Sequence, residues 1–354
     1  MDRASKVALM IVATAVVAAG LYFGRDLLTQ VALAALLWLG IGGLAHWLQR
    51  KTAMGPRISL VVSGALVAVL AGLGVWLFVA NVASMTGQLG AYEARLDALI
   101  RDAYRMAGAA GPPPSTQQLA ERFNIDNFIA DAVRGAQGVL GDLTFILLYL
   151  AFIFAASSSF RSKLDEIFPD ADDRASASAL LGRIRHSMET YLWVQTIISL
   201  IITGLTYVTL LLIGLDNAAF WAFLIFFLNF IPTIGSIAAT ILPTVFALVQ
   251  FDSIGPVVAV AAGVGFWQFF IGNVVQPRMM GDSLNLSALV VLLSLGFWGA
   301  LWGIAGAFLS APLTVMAMIA LAQFRSTRWI AILLSADGRP ETTGEPRDKT
   351  SARA

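Results

Sequence analysis

Cysteine is missing from this 354-residue chain. Its absence excludes disulfides, thiolate metal sites and a cysteine nucleophile. Charge is scarce: 13% of residues are Asp, Glu, Lys or Arg, against about 25% in soluble globular domains. The net charge of +1 offers no basic surface to nucleic acid. Histidine occurs only at His46 and His186, so no His/Cys metal cluster is expected. No segment fits the P-loop pattern, which excludes ATP binding of that kind. There is no Gly-x-Ser-x-Gly elbow, and no Ser–His or Asp–Asp pair within an apolar run for an intramembrane protease. Neither an enzyme nor a cofactor is expected.

What the chain has in quantity is apolar residues, 58% of the total. Uncharged runs of roughly 17 to 25 residues match the length needed to cross a bilayer. The expected fold is therefore an all-α polytopic integral membrane protein, with about eight hydrophobic segments and the lipid bilayer as its first partner. The blocks run from about Val7 to Phe23, Leu27 to Leu48, Ile58 to Ala83, Val139 to Phe160, Tyr191 to Ile213, Ala218 to Gln250, Ile254 to Ile271 and Leu286 to Ala322. The first follows Arg3 and Lys6 and reads as an uncleaved span. The chain divides into a three-span region (1–83), an outer polar stretch (84–138), a core (139–325) and a C-terminal segment (326–354). That last segment is expected to be mostly disordered from about Ser335.

Arginine and lysine set the orientation. Arg3 and Lys6 precede block one, and Arg50, Lys51 and Arg57 crowd the link between blocks two and three. Both termini are thus expected in the cytoplasm, in a cell inner membrane, with 84–138 outside. In the outer stretch Leu89, Tyr92, Leu96, Leu99 and Tyr104 recur at helical spacing. Gly111-Pro112-Pro113-Pro114 should end that amphipathic helix, and Ser115 with Gln118 forms a capping box for a second one through Phe123, Phe128 and Ile129. Their apolar stripes call for a cover, either a neighbouring subunit or the chain's own bundle. Inside, 165–189 reads as an amphipathic connector into block five.

Blocks six and eight are too long for one ordinary span. Block six is interrupted at Asn229-Phe230-Ile231-Pro232-Thr233-Ile234-Gly235-Ser236, and block eight around Trp298 to Gly306, with Pro243 and Pro312 in their second arms. Lipid tolerates a broken backbone only where protein or a water-filled cavity shelters it. Two readings stay open: a pair of re-entrant helical hairpins entering from opposite sides, or two long tilted helices with proline kinks.

Three stretches in order resemble the AI-2E transporter family, the autoinducer-2 exporter-like permeases. They are Tyr191-Leu192-Trp193-Val194-Gln195 through Gly214-Leu215 to Asn229–Gly235; Gly272-Asn273-Val274-Val275-Gln276-Pro277-Arg278-Met279-Met280-Gly281; and Ser294 to Gly306 with Ala311-Pro312-Leu313. The resemblance covers roughly residues 140 to 325. It implies an exporter-like permease. Members of that family are linked to release of the furanone signal autoinducer-2 or to exchange of sodium or lithium for protons, and some form ring-like homo-oligomers. A homo-oligomer is accordingly expected here.

The cargo is read from the polar groups. Proton relays need buried Asp, Glu or His, yet Asp142, Asp216, Asp252 and Asp282 sit at segment ends. Amides and hydroxyls are plentiful instead, among them Gln195, Thr196, Ser199, Thr203, Thr206, Asn229, Thr233, Ser236, Thr240, Gln268, Asn273 and Gln276. The expected path for a small polar solute is Asn229, Pro232, Thr233, Gly235 and Ser236 at the first break, Gln195, Gln268, Asn273 and Gln276 beside it, and Gly303, Gly306 and Pro312 at the second. Sodium held by freed carbonyls, with or without proton exchange, is an alternative cargo; a non-transporting scaffold is an alternative role. Packing alone is the plain reading for Gly303 and Gly306, interhelical bonding for the hydroxyls, and helix capping for Asn273 and Gln276. The two-hairpin topology predicts that a cysteine placed at Asp282, in this otherwise cysteine-free chain, reacts with an impermeant thiol reagent from the cytoplasmic side. Reaction only from outside would exclude it.

Overall fold

The computed structural model describes residues 3–106, 108, 113–115, 118, 125–157, 159–280 and 284–340. The described residues form twelve helices: α1 (Arg3–Phe23), α2 (Arg25–Lys51), α3 (Pro56–Met106), α4 (Ile125–Ser157), α5 (Phe160–Ile167), α6 (Ala171–Ile213), α7 (Ala218–Leu228), α8 (Ile234–Gln250), α9 (Ile254–Phe270), α10 (Gln276–Met280), α11 (Ala288–Ala322) and α12 (Arg328–Leu334), with a π-turn, Ile271–Val275, joining α9 to α10. Among the described residues the only β-pairing is one isolated bridge, Leu286 with Ser335. Among the described residues five stretches are long and apolar enough to cross a membrane: Arg25–Lys51, Pro56–Gly74, Ala171–Ile213, Ile254–Met280 and Ala288–Ala322. The chain is an all-α polytopic membrane protein.

Several helices run further than the apolar blocks. The outer amphipathic stripe expected as a separate helix is the continuation of α3, because no proline interrupts the chain between Ser84 and Met106. Its Arg95 reaches Asp252 in the α8–α9 link, by an ion pair of 3.7 Å and a bond to the carbonyl at 3.1 Å. The extension therefore docks on the chain's own bundle. The Ser115–Gln118 capping box forms, with reciprocal bonds of 3.2 and 3.1 Å. Phe128 and Ile129 belong to α4, which runs on into block four; Gly111, Pro112 and Phe123 lie outside the described residues. The inner connector and block five are likewise one helix, α6. Asp170 caps it by accepting from the Asp172 amide at 2.8 Å. Its other end closes at Gly214, φ 82°, with Leu215 N bonding Leu210 O at 3.0 Å, a left-handed cap that suits glycine.

Blocks six and eight both fold back on themselves. In block six, Trp221 and Phe246 lie with ring centroids 5.2 Å apart, where a continuous helix would separate them by about 37 Å. The feet meet as well: Gln250 donates to Gly214 O at 2.8 Å and accepts from Asp216 N at 2.7 Å. In block eight, Trp298 Nε1 donates to Thr314 Oγ1 at 3.1 Å, across sixteen residues that a straight helix would spread over about 24 Å. The fold is at Gly303, whose φ of 64° and ψ of −142° leave the helical region. Ala288–Ala322 is thus two arms, although its length and composition alone would pass for one span.

The two hairpins point in opposite directions. α6 serves as the ruler. The first hairpin stands on its C-terminal end, at Gly214. The second begins beside its N-terminal half, where Leu180 and Ile184 pack in one apolar cluster with Leu284, Leu286, Leu309, Val315 and Ile319. After α11 the chain returns through α12, and Ser335–Pro340, expected to open a disordered tail, is held against the same entrance. Asn285 donates to Asp337 at 2.9 Å and to Arg339 O at 3.1 Å. The Arg339 amide and then Asn285 hold the Asp337 carboxyl below the usual range. With its pKa depressed, this latch is complete at neutral pH and lost only as pH falls through the lowered value. Residues 341–354 and Asp282 lie outside the described residues.

Each hairpin is closed by a glycine that touches the other arm's backbone. A Cβ on Gly235 would stand 1.7 Å from Leu228 O, and one on Gly306 would stand 1.9 Å from Trp298 O. Gly235→Ala and Gly306→Ala are predicted to destabilise the solubilised protein by roughly 3 kcal/mol, the upper end of ordinary point substitutions, in thermal unfolding. Gly20→Ala, where a Cβ meets nothing within 4 Å, should leave the midpoint unchanged or slightly raised.

Candidate functional site

Proline at 232 starts the break. It has no N–H to continue the ladder from Leu228, and the Leu228 carbonyl turns instead to Ile231 N at 2.9 Å. The chain reverses at Thr233, φ 61° and ψ −58°, with Ile234 N bonding Pro232 O at 2.6 Å. This is the rare, strained form of γ-turn. For a β-branched residue it is an outlier, a conformation that costs on the order of 1–3 kcal/mol.

One carbonyl freed by the break, that of Asn229, lies next to buried amides. Gln195 on α6, 3% exposed, donates to Asn229 O at 2.7 Å. Gln268 on α9, 7% exposed, donates to Asn229 Oδ1 at 3.1 Å. Gln276 on α10 donates to Gln195 Oε1 at 3.2 Å. Four amide side chains from three walls are thereby knotted around the unwound segment. The π-turn makes this possible: it inserts one residue, so Gln276, eight positions after Gln268, takes the angular place of the seventh. Among the described residues no charged side chain joins this knot. Asp252 is engaged by Arg95, and Asp142 accepts from Gln30 at 2.8 Å.

The remaining expected residues divide. Pro232, Thr233, Gly235 and Ser236 form the first tip; Ser236 Oγ bonds Thr233 O at 2.9 Å and so closes the turn without reaching the knot. Asn273 is exposed and bonds its own helix at Phe269 O, 2.8 Å away, so it stands apart from the other amides. Gly303, Gly306 and Pro312 belong to the second tip and its returning arm, Gly306 and Pro312 being buried. Trp302 Nε1 anchors that tip to Leu21 O at 3.1 Å.

The contact that unites the tips was not singled out from the sequence. Phe230 and Phe308 stack with centroids 5.0 Å apart and planes 18° from parallel. Phe230 lies inside the first break and Phe308 five residues past the second, and in a chain with 22 phenylalanines nothing in the spacing marks either. The pairing of Trp298 with Thr314 also went unmarked, since it exists only once the hairpin has closed.

A family model described as AI-2E family transporter matches residues 11–326. The AI-2 transport protein TqsA of Escherichia coli strain K12 is 29% identical over 339 residues, 93% of this chain and 95% of that protein. The putative transport protein YhhT of the same strain is 27% identical over 328 residues, 92% and 93%. A putative transport protein of Haemophilus influenzae is 34% identical over 224 residues, 62% of this chain and 64% of its own length.

Gln195→Met keeps the side chain's shape but strands the Asn229 carbonyl. The expected loss is about 1–3 kcal/mol in thermal unfolding. A cycle with Gln276→Met should be non-additive by roughly 0.5 kcal/mol or more. Full additivity would mean that the two amides act separately.

Proposed function

This chain belongs to the AI-2E transporter family, and from that premise we propose a secondary transporter that moves a small polar solute of the autoinducer-2 kind through the site between the two hairpin tips. The observation that supports this reading most is the convergence of four uncharged amides on an unwound backbone where opposed hairpins meet. Discontinuous helices near the midplane are where secondary transporters hold their cargo. Amides that donate and accept suit hydroxyl and carbonyl oxygens, and they carry no charge to oppose a neutral solute.

Sodium or lithium exchange for protons is the weaker alternative. It needs a titratable relay in the membrane, and the Asn229 carbonyl, the freed oxygen a cation would take, already accepts from Gln195. We further propose a cytoplasmic-membrane location with both termini inside, on the strength of Arg3, Lys6, Arg50, Lys51 and Arg57.

Purified protein in sealed liposomes tests the reading. Uptake of autoinducer-2 and of small polyols is expected, and Asn229→Ala should lower it at least tenfold while the protein stays folded. Imposed sodium and proton gradients identify any coupling. Flux unchanged in the Asn229 variant would remove the site from the path. Flux of no solute under any gradient would favour a scaffold role.

A further inference from the structure

Between the amide knot and the foot of the first hairpin lie six polar atoms, each buried and each without a hydrogen-bond partner among the described residues. They are the hydroxyls of Ser199, Thr203 and Thr206 on α6, and Asn217 Nδ2, Trp221 Nε1 and Asn229 Nδ2 on α7 and its two ends. Ser199 and Thr206 are fully enclosed, and Trp221 is 7% exposed. More than nine in ten buried polar groups in folded proteins are bonded, to protein or to ordered water, so these six call for a partner other than the surrounding side chains.

The hydroxyls have an ordinary remedy that they do not use. Serine and threonine in helices commonly bond a carbonyl one turn back. On this same helix Thr196 does so to Leu192 O at 2.6 Å, and Thr209 to Leu205 O at 2.8 Å. Ser199, Thr203 and Thr206 stay open. With Gln195 they recur at intervals of four, four and three, which is one face of a helix. The row therefore begins at the knot and runs towards Gly214. On α7, Asn217 and Trp221 are one turn apart, and Asn229 closes the row at the knot.

Resting on the transport reading above, we infer that this α6–α7 seam is the lane by which the solute moves between the tips and the hairpin foot, and that its cargo is a small neutral molecule rich in hydroxyl or carbonyl oxygen. The chemistry of the six groups selects that class. Indole and amide N–H groups only donate, hydroxyls donate and accept, and none is charged. A bare cation would meet three donors that repel it. An oxygen-bearing solute, or a file of water, satisfies all six. Flanking Ile198, Ile202 and Ile225 are buried and apolar, so these neighbours offer the six groups no partner.

The triple variant Ser199→Ala, Thr203→Val, Thr206→Val keeps volume and removes only the open hydroxyls. In proteoliposomes, glycerol and xylitol flux read by light scattering should fall at least tenfold, with the unfolding temperature unchanged or raised. Wild-type flux in that variant, alongside lost flux in Gln195→Met, would overturn the lane and leave the site at the tips standing. If the native protein passes neither polyol, the transport reading fails for this class, and labelling decides the lane. Ser199→Cys and Thr206→Cys should react with N-ethylmaleimide at least tenfold faster than Leu212→Cys, which is 82% exposed on the same helix's outer face. Equal or slower reaction would overturn it, because thiolate chemistry there requires water. Protection of the two cysteines by xylitol distinguishes a solute lane from a water file.

Discussion

An amide released from its helix inside an apolar bundle has to be met by another part of the same molecule, since lipid cannot meet it. Much of the core's arrangement follows from that requirement. Proline at 232 frees carbonyls at the end of α7, and Gln195 answers one of them at 2.7 Å. Gln195 is in turn steadied by Gln276, and the Asn229 side chain by Gln268. A polar knot thus exists at a depth where polar groups are otherwise expensive, because the break makes it necessary. Remove the break and four amides, Gln195 and Gln268 among them buried, lose their reason to be there.

The two hairpins meet the same problem with similar parts. Each has a residue at positive φ at its tip, Thr233 or Gly303. Each has a glycine a few positions later pressed on the opposing arm's carbonyl, and a buried proline within the returning arm, Pro243 or Pro312. A tryptophan on each first arm faces the second, Trp221 against Phe246 and Trp298 against Thr314. The tips differ in one respect that bears on function: Thr233 adopts its turn at a cost, while Gly303 does so freely. Strain held at the first tip alone makes it the more readily rearranged of the two.

The sequence made the class and the breaks visible because both rest on local rules. Lipid-length apolar runs need no tertiary context, and a proline beside a glycine cannot continue a helix. Composition also separated the amides from the end-placed carboxylates, and three of the four residues in the knot lie within motif stretches. What stayed hidden was long-range. Helix continuity from block three to Met106, and from Ala171 to Ile213, was masked by a change from apolar to polar composition that has no effect on backbone propensity. Whether block eight folds or kinks depends on Trp298 finding Thr314, a pairing invisible in one dimension. Asn273 looked equivalent to Gln276, and only the π-turn, which sequence does not announce, sends one outward and the other into the knot.

On the proposed route the opposed hairpins meet at their tips and part as solute passes. Paired cysteines at Phe230 and Phe308, in a chain that has no others, address it directly, since these rings stack at 5.0 Å. A short bis-methanethiosulfonate added to the double variant in liposomes should bridge the two thiols within one chain in high yield and arrest flux, and reduction should restore it. Failure to cross-link while both thiols remain reactive, or undiminished flux through the cross-linked protein, would contradict that route.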